Sequence, residues 1–223
     1  MSTTCPHHTA WQSVDGSSPV IGILALQGDV SEHRRMLESL GAIVVEVRAP
    51  RDVAGLQGLV IPGGESSVMD KLSRLCGLDA PLRWSIDEGL PVLGTCAGMI
   101  MLAGDLAGGI NGQETLGGLD ISVQRNAFGS QRESFDTRLV VRGIVGGPMD
   151  VSFIRAPIVT RVGPGVQVLA SLEDGRIVAV DNGQCMALAF HPEVSGDDRL
   201  HAAFIKRAGD YPPLPGDLPA TLA

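Results

Sequence analysis

Aromatic residues are scarce in this 223-residue chain, at 4 % Phe, Trp and Tyr together, and charged residues reach only 19 %. Basic residues are the minority among them: 17 Lys and Arg against 25 Asp and Glu leave a formal charge of −8 and a pI near 5.0. A chain with no basic surplus has no electrostatic footprint for a phosphate backbone or an anionic membrane, so neither nucleic acid nor membrane is expected as a partner. No apolar run approaches the roughly 18 residues of a membrane span, and the N-terminus lacks the basic-then-apolar order of a signal peptide. A cytoplasmic protein is expected. Cysteine is equally thin: Cys5, Cys76, Cys96 and Cys185 are scattered, without the close pairs of a zinc site, and a chain this long needs no disulfide. There is no Gly-Lys-Ser/Thr phosphate loop, and no G-x-G-x-x-G opens a helix, so nucleotide binding has no support. No metal and no cofactor are expected.

What the chain has in excess is glycine. The 29 glycines amount to about 13 %, against a usual value near 7 %. They show no every-third-residue period, which excludes collagen, and 44 % apolar residues exclude a disordered chain. A globular protein with many tight backbone turns remains.

Residues 1–18 are polar and aperiodic and read as a flexible arm; its Cys5, His7 and His8 are taken as a solvated tail and not as a metal site. Residues 210–223, with Pro212, Pro213, Pro215 and Pro219, read as a loose Pro-rich tail. Between them, 19–209 is expected to be a single domain. Apolar strand-like runs alternate there with helix-period segments: Val20 to Leu26, Ser31 to Leu40, Ile43 to Val47, Leu59 to Ile61, Ser66 to Leu75 and Val92 to Thr95. Continuous apolar runs suit parallel strands covered on both faces, and right-handed crossovers then give a doubly wound α/β sheet flanked by helices. Ligands of such a sheet bind at the carboxyl ends of its strands. After residue 118 the pattern becomes strand-dominated, with runs near Leu119 to Gln124, Thr137 to Val141, Val166 to Leu172, Ile177 to Asp181 and Met186 to Phe190, before a last helix from Asp197 to Arg207. The sheet is therefore expected to be mixed.

Gly94-Thr95-Cys96-Ala97-Gly98 follows the apolar Pro91-Val92-Leu93 and precedes Met99-Ile100-Met101-Leu102. This G-x-C-x-G has the spacing of a nucleophile elbow, in which small flanking residues let a strained turn project the central side chain at the sheet edge. At a helix N-terminus the dipole favours the thiolate, and the amide of Ala97 lies ready to donate to an oxyanion. A thiolate nucleophile needs an imidazole held in one tautomer by a third group. Of the five histidines, His7 and His8 lie in the arm, His33 in the first helix and His201 in the last. His191 follows the apolar strand Met186 to Phe190 and precedes Pro192-Glu193. In an extended segment positions i and i+2 point the same way, so Glu193 is expected to reach His191. Pro62-Gly63-Gly64-Glu65-Ser66 and Ala25-Leu26-Gln27-Gly28 are two further turns that end strands on the same edge, each a weak signal alone. Acyl transfer from an amide or ester through a thioester is the chemistry these groups suit.

Pro62 to Ser66, Gly94 to Met99 and Phe190 to Glu193 together resemble the class I (triad) glutamine amidotransferases, which have a flavodoxin-like three-layer fold. Leu24 to His33, Arg125-Asn126-Ala127-Phe128-Gly129 and Phe153-Ile154-Arg155-Ala156-Pro157 narrow the resemblance to the glutaminase subunits of pyridoxal 5′-phosphate synthases. The resemblance runs from about Val20 to about Arg207. It implies hydrolysis of L-glutamine, with Cys96 as nucleophile, His191 moving the proton and Glu193 orienting His191. It implies that Gly64, Glu65, Ser66, Arg125, Ile154 and Arg155 bind glutamine, where an Arg fork suits a carboxylate and Glu65 an ammonium. Gly64, Ala97 and Gln27 are implied for the oxyanion hole. The ammonia would pass to a synthase subunit in a large hetero-oligomer, and the first helix would face that partner. Another thiol hydrolase, a glutaminase serving a different acceptor, and a non-catalytic module on the same fold are the alternatives. Ser67-Val68 departs from the Thr-Thr frequent in the family.

Overall fold

The computed structural model describes residues 18–127 and 134–219. The expected arm, 1–18, lies outside them but for its last residue, as do Phe128 and Gly129 of the Arg125 segment. In chain order the elements are β1 Val20–Leu24, α1 Val30–Ser39, β2 Ile43–Val47, β3 Gly58–Ile61, α2 Ser66–Leu75, α3 Asp79–Asp87, β4 Val92–Thr95, α4 Ala97–Leu102 and β5 Ala103–Ala107. They continue with β6 Leu119–Gln124, β7 Phe135–Leu139, β8 Met149–Phe153, β9 Ile158–Val162, β10 Gln167–Ser171, β11 Ile177–Asp181, β12 Cys185–Leu188, α5 Pro192–Ser195 and α6 Arg199–Gly209.

The main sheet runs β2-β1-β3-β4-β12-β11-β9-β6-β5, with β10 paired to β11, and β7 and β8 form a separate hairpin. From β2 to β12 every neighbouring pair is parallel; β12 to β11, β11 to β9 and β9 to β6 are antiparallel. The sheet is mixed and flanked by helices, as the pattern predicts. The two halves differ in burial because they differ in cover. All four residues of β3, of β4 and of β12 are buried, as a parallel strand between two helix layers must be, whereas β6 alternates buried and exposed positions. Right-handed crossovers send α1 and α2 to opposite faces: α1 packs with α5 and α6, and α2 packs with α3 and α4.

Four strand ends converge. The loops after β1, β3, β4 and β12 all leave the carboxyl edge of the parallel half, which is where a doubly wound sheet opens its crevice. The tail is less loose than expected over its first residues. Leu214 is buried and its N–H donates to Leu56 O at 2.8 Å, while Tyr211 O accepts from Gln57 Nε2 at 3.0 Å, so one apolar side chain among the prolines finds the core and anchors the segment. Among the described residues no helix is long and apolar enough to cross a membrane.

Candidate active site

Strand β4 is buried between β3 and β12, and its last residues lie in register with Ile61 on one side and with Ala187 and Leu188 on the other. This clamps the turn that follows. Cys96 stands there at φ 47° and ψ −98°, its N–H donating to Leu188 O at 2.7 Å, and α4 begins at Ala97. A left-handed conformation costs a non-Gly residue roughly 1–2 kcal/mol, and such strain concentrates at functional sites. The flanking glycines are required by space: a Cβ on Gly98 would lie 2.1 Å from Ile61 O, and one on Gly94 would lie 2.7 Å from Gly98 C and O. Close packing between β3, β4 and α4 thus demands glycine at both flanking positions. The amide of Ala97, first in its helix, has no carbonyl one turn earlier to bond.

His191 sits two residues after Ala189, and its N–H donates to Ser152 O at 3.1 Å. Glu193 reaches it, but not along an extended segment as expected. Pro192 starts the short helix α5 with His191 as its N-cap, because the proline φ suits a first helical position; Glu193 on that first turn bends back to place Oε1 2.8 Å from His191 Nδ1. A second carboxylate shares that nitrogen: Asp29 Oδ2 lies 3.2 Å away. With Nδ1 held by two carboxylates, Nε2 is left for Cys96. Burial opposes a charge on His191, but hydrogen bonds to Asp29, Cys96 and Glu193 outweigh it and push the pKa up to about 12. Burial raises the pKa of Glu193, against the bond and charge of His191, which lower it. The imidazolium is the stable form at neutral pH. Asp29, His191 and Glu193 also bring three metal-ligand-type atoms within 4.8 Å of one another. Their mutual hydrogen bonds account for that closeness, so the cluster reads as a polarised base.

Cys96 and His191 open on a cavity of ≈ 170 Å³, lined also by Gly64, Glu65, Ser66, Arg125, Ile154 and Arg155, so that all six expected substrate groups meet Cys96. Glu65 caps α2, accepting from Ser67 N at 3.4 Å and Ser67 Oγ at 3.0 Å, and ion-pairs with Arg125, whose other nitrogen donates to Gln113 Oε1 at 2.9 Å. Ile154 O faces Cys96 Sγ at 3.8 Å. Gln27, Ala97 and Glu193 do not line the cavity. Gln27 stands behind it: Oε1 accepts from Glu65 N at 3.1 Å and Nε2 donates to Glu65 O at 3.3 Å, fixing the backbone of Glu65 next to Gly64. The lining also includes Asp29, Ile100 and Asn126, which the sequence does not single out. Among the described residues only Cys96, Asn126 and Arg155 are non-glycines with positive φ, and all three line this cavity. Backbone strain therefore marks the site independently of any motif.

Residues 23–209 match the model of the SNO glutamine amidotransferase family. The chain belongs to that family. It is 54 % identical to the pyridoxal 5′-phosphate synthase subunit PdxT of Clavibacter sepedonicus over 94 % of this chain and 96 % of that one, and 58 % identical to the PdxT of Leifsonia xyli subsp. xyli over 84 % and 95 %. A glutamine amidotransferase of known crystal structure superposes with a TM-score of 0.79 at 45 % identity, covering 85 % of this chain and 98 % of its own. In this SNO-family amidotransferase the strained cysteine, the polarised histidine and a charged pocket lie on one sheet edge. That is the group set an amide acyl transfer needs.

Proposed function

We propose that the chain is the glutaminase subunit of a pyridoxal 5′-phosphate synthase. It hydrolyses L-glutamine to L-glutamate and ammonia in the cytoplasm, with 19–209 as the amidotransferase domain. The ammonia passes to a synthase subunit, within a large hetero-oligomer, that joins it to ribose 5-phosphate and glyceraldehyde 3-phosphate. The observation that carries the reading is the convergence of Cys96, His191 with its carboxylates, and the Glu65–Arg125 pair on one small cavity. The names borne by the Clavibacter and Leifsonia relatives support the synthase assignment.

The steps follow from the groups. Cys96 Sγ attacks the carboxamide carbon, and the amides of Gly64 and Ala97 stabilise the oxyanion, with Gln27 bracing the neighbouring Glu65 backbone. His191 gives its proton to the leaving nitrogen as the C–N bond breaks, releasing ammonia and a thioester. Water then attacks the thioester, His191 takes its proton, and the C–S bond breaks to return the thiolate and free glutamate. Glu193 orients His191 throughout. Glu65 meets the α-ammonium and Arg125 the α-carboxylate, with Ser66, Ile154 and Arg155 completing the pocket. Because Glu65 and Arg125 pair with each other, an α-amino acid can exchange into the pair without leaving a charge uncompensated.

The test is ammonia release from glutamine by the purified chain, alone and with its synthase. Activity dependent on Cys96, and higher with the synthase, is the expected result. Undiminished hydrolysis by Cys96→Ala would overturn the mechanism, and no response to the synthase would overturn the partner.

A further inference from the structure

Two histidines outside the cavity, His33 on α1 and His201 on α6, have no solvent exposure. His33 Nδ1 lies 2.9 Å from His201 Nε2, and His33 Nε2 lies 3.1 Å from Thr95 Oγ1 and 3.5 Å from Glu193 Oε1. Burial, then the neighbouring imidazoles His201 and His191, holds His33 well below the usual histidine range; burial alone brings His201 down to about 4. Both rings are neutral at pH 7, with one N–H each.

Counting those protons gives the bonds a direction. His201 Nδ1 has no partner. A proton there would be a buried, unbonded donor; His33 would have to donate to His201, and its bare Nε2 would face the Glu193 carboxylate lone pair to lone pair. The opposite assignment leaves only an unpaired acceptor, which buried sites tolerate better than an unpaired donor. His201 then donates from Nε2 to His33 Nδ1, and His33 donates from Nε2 to Thr95 Oγ1, with that nitrogen also 3.5 Å from Glu193 Oε1, close enough for attraction to the carboxylate. Glu193 Oε2 has no partner, so the two imidazoles carry all of this carboxylate's side-chain pairing.

We propose that His33 is a positioning residue for glutamine hydrolysis: its Nε2–H, fixed by His201, ties Glu193 to Thr95, the residue before Cys96, and holds base and nucleophile in register. This rests on the glutaminase reading above. The titratable groups facing Glu193 are His191, His33 and Asp29. On the elements packed against α1 and α5, Glu46 pairs with Arg34, Asp150 with Arg138, Arg199 with Asp197 and Arg207 with Asp181, while Arg35 on α1 and Lys206 on α6 add positive charge. Removing the His33 donor makes Glu193 easier to protonate, so activity is lost at a higher pH on the acid side.

The experiment compares wild type, His33→Leu, His33→Gln and His201→Leu in the full chain with its synthase. For His33→Leu the expected result is kcat down about tenfold, KM within about twofold, and the acid limb of kcat/KM raised by about half to one pH unit, the scale of one ordinary net hydrogen bond. His33→Gln keeps an N–H donor in reach and restores most of kcat and the acid limb; His201→Leu costs about threefold. Nitrogen NMR of wild type should show His33 protonated at Nε2 and bare at Nδ1. An acid limb unmoved in His33→Leu, or a proton on His33 Nδ1, overturns the proposal whatever the variants do to melting temperature. If His33→Leu fails to fold, the nitrogen shifts decide. Wild type releasing no ammonia would instead overturn the glutaminase reading, with the tautomer still decided by NMR.

Discussion

The parallel half of the main sheet carries the residues proposed to make and break bonds, whereas β6 at its antiparallel side and the separate β7–β8 hairpin carry much of the proposed substrate grip. Cys96 and His191 follow β4 and β12, adjacent strands buried on both faces, and Cys96 is fixed by a backbone bond to Leu188. Arg125 and Asn126 follow β6, and Ile154 and Arg155 follow β8, strands that alternate between buried and exposed positions. A reacting pair needs its separation fixed to fractions of an ångström, which a doubly covered strand provides; a binding surface tolerates the looser support of an exposed loop. The division implies that damage to the first half falls on kcat and damage to the second on KM.

The largest effect expected is from Cys96→Ala, with kcat for ammonia release down about 10⁴-fold or more and the melting temperature nearly unchanged. Arg125→Ala, on the other half, should raise KM about 10- to 100-fold, the worth of a lost charge-assisted pair, with kcat within a few-fold. Steady-state kinetics with glutamine decide both. A fall in kcat at constant KM for Arg125→Ala would break the division.

Much of the parallel half was legible in the sequence because its signal is local. Ile43–Val47, Ser66–Leu75 and Val92–Thr95 fall on β2, α2 and β4 to the residue, since continuous apolar runs and a helical period each fit one element. Farther on, β6 and β11 match, but β5 is missed because Ala-Gly-Asp-Leu-Ala carries no strand preference, and β9 because Pro157 and Pro164 bracket it like a loop. The helix α3 hides behind Pro81, which its first turn tolerates. The positions of Cys96, His191 and Glu193 at one sheet edge were readable from the G-x-C-x-G elbow and His-Pro-Glu. Asp29 was not, because nothing near residue 191 points back across the sheet to the loop after β1. Nor was the His33 to His201 contact, which joins two helices and appears only once α1 and α6 pack together.

Asp29 sits where the comparison can be sharpened, bonded to His191 yet lining the pocket. Asp29→Asn removes one of the two carboxylates that hold His191 charged, so the alkaline limb of kcat/KM should fall by about one pH unit with KM nearly unchanged. A KM rise with an unmoved limb would place Asp29 with the substrate groups instead. The same raised pKa has a stability consequence. A histidine whose folded value lies near 12 contributes stability that is complete below its ordinary value of 6.5 and is lost as pH rises toward 12. Chemical denaturation between pH 6 and 9 should therefore show wild type losing stability with pH more steeply than His191→Gln.

The smallest effect tests whether strain on the binding side is separable from the chemistry. Arg155 holds φ 46° on an exposed loop, a conformation that costs a side chain roughly 1 kcal/mol and glycine almost nothing. Arg155→Gly should raise the melting temperature by about 2 °C, less whatever the added freedom of the unfolded chain takes back. The same change removes a cationic pocket wall, so KM should rise a few-fold while kcat holds. Cys96 carries the same kind of strain, but there relief and function cannot be separated, because the strained residue is the proposed nucleophile. A drop in kcat for Arg155→Gly would mean that the loop after β8, through Ile154 O beside Cys96 Sγ, helps to place the nucleophile as well as the substrate.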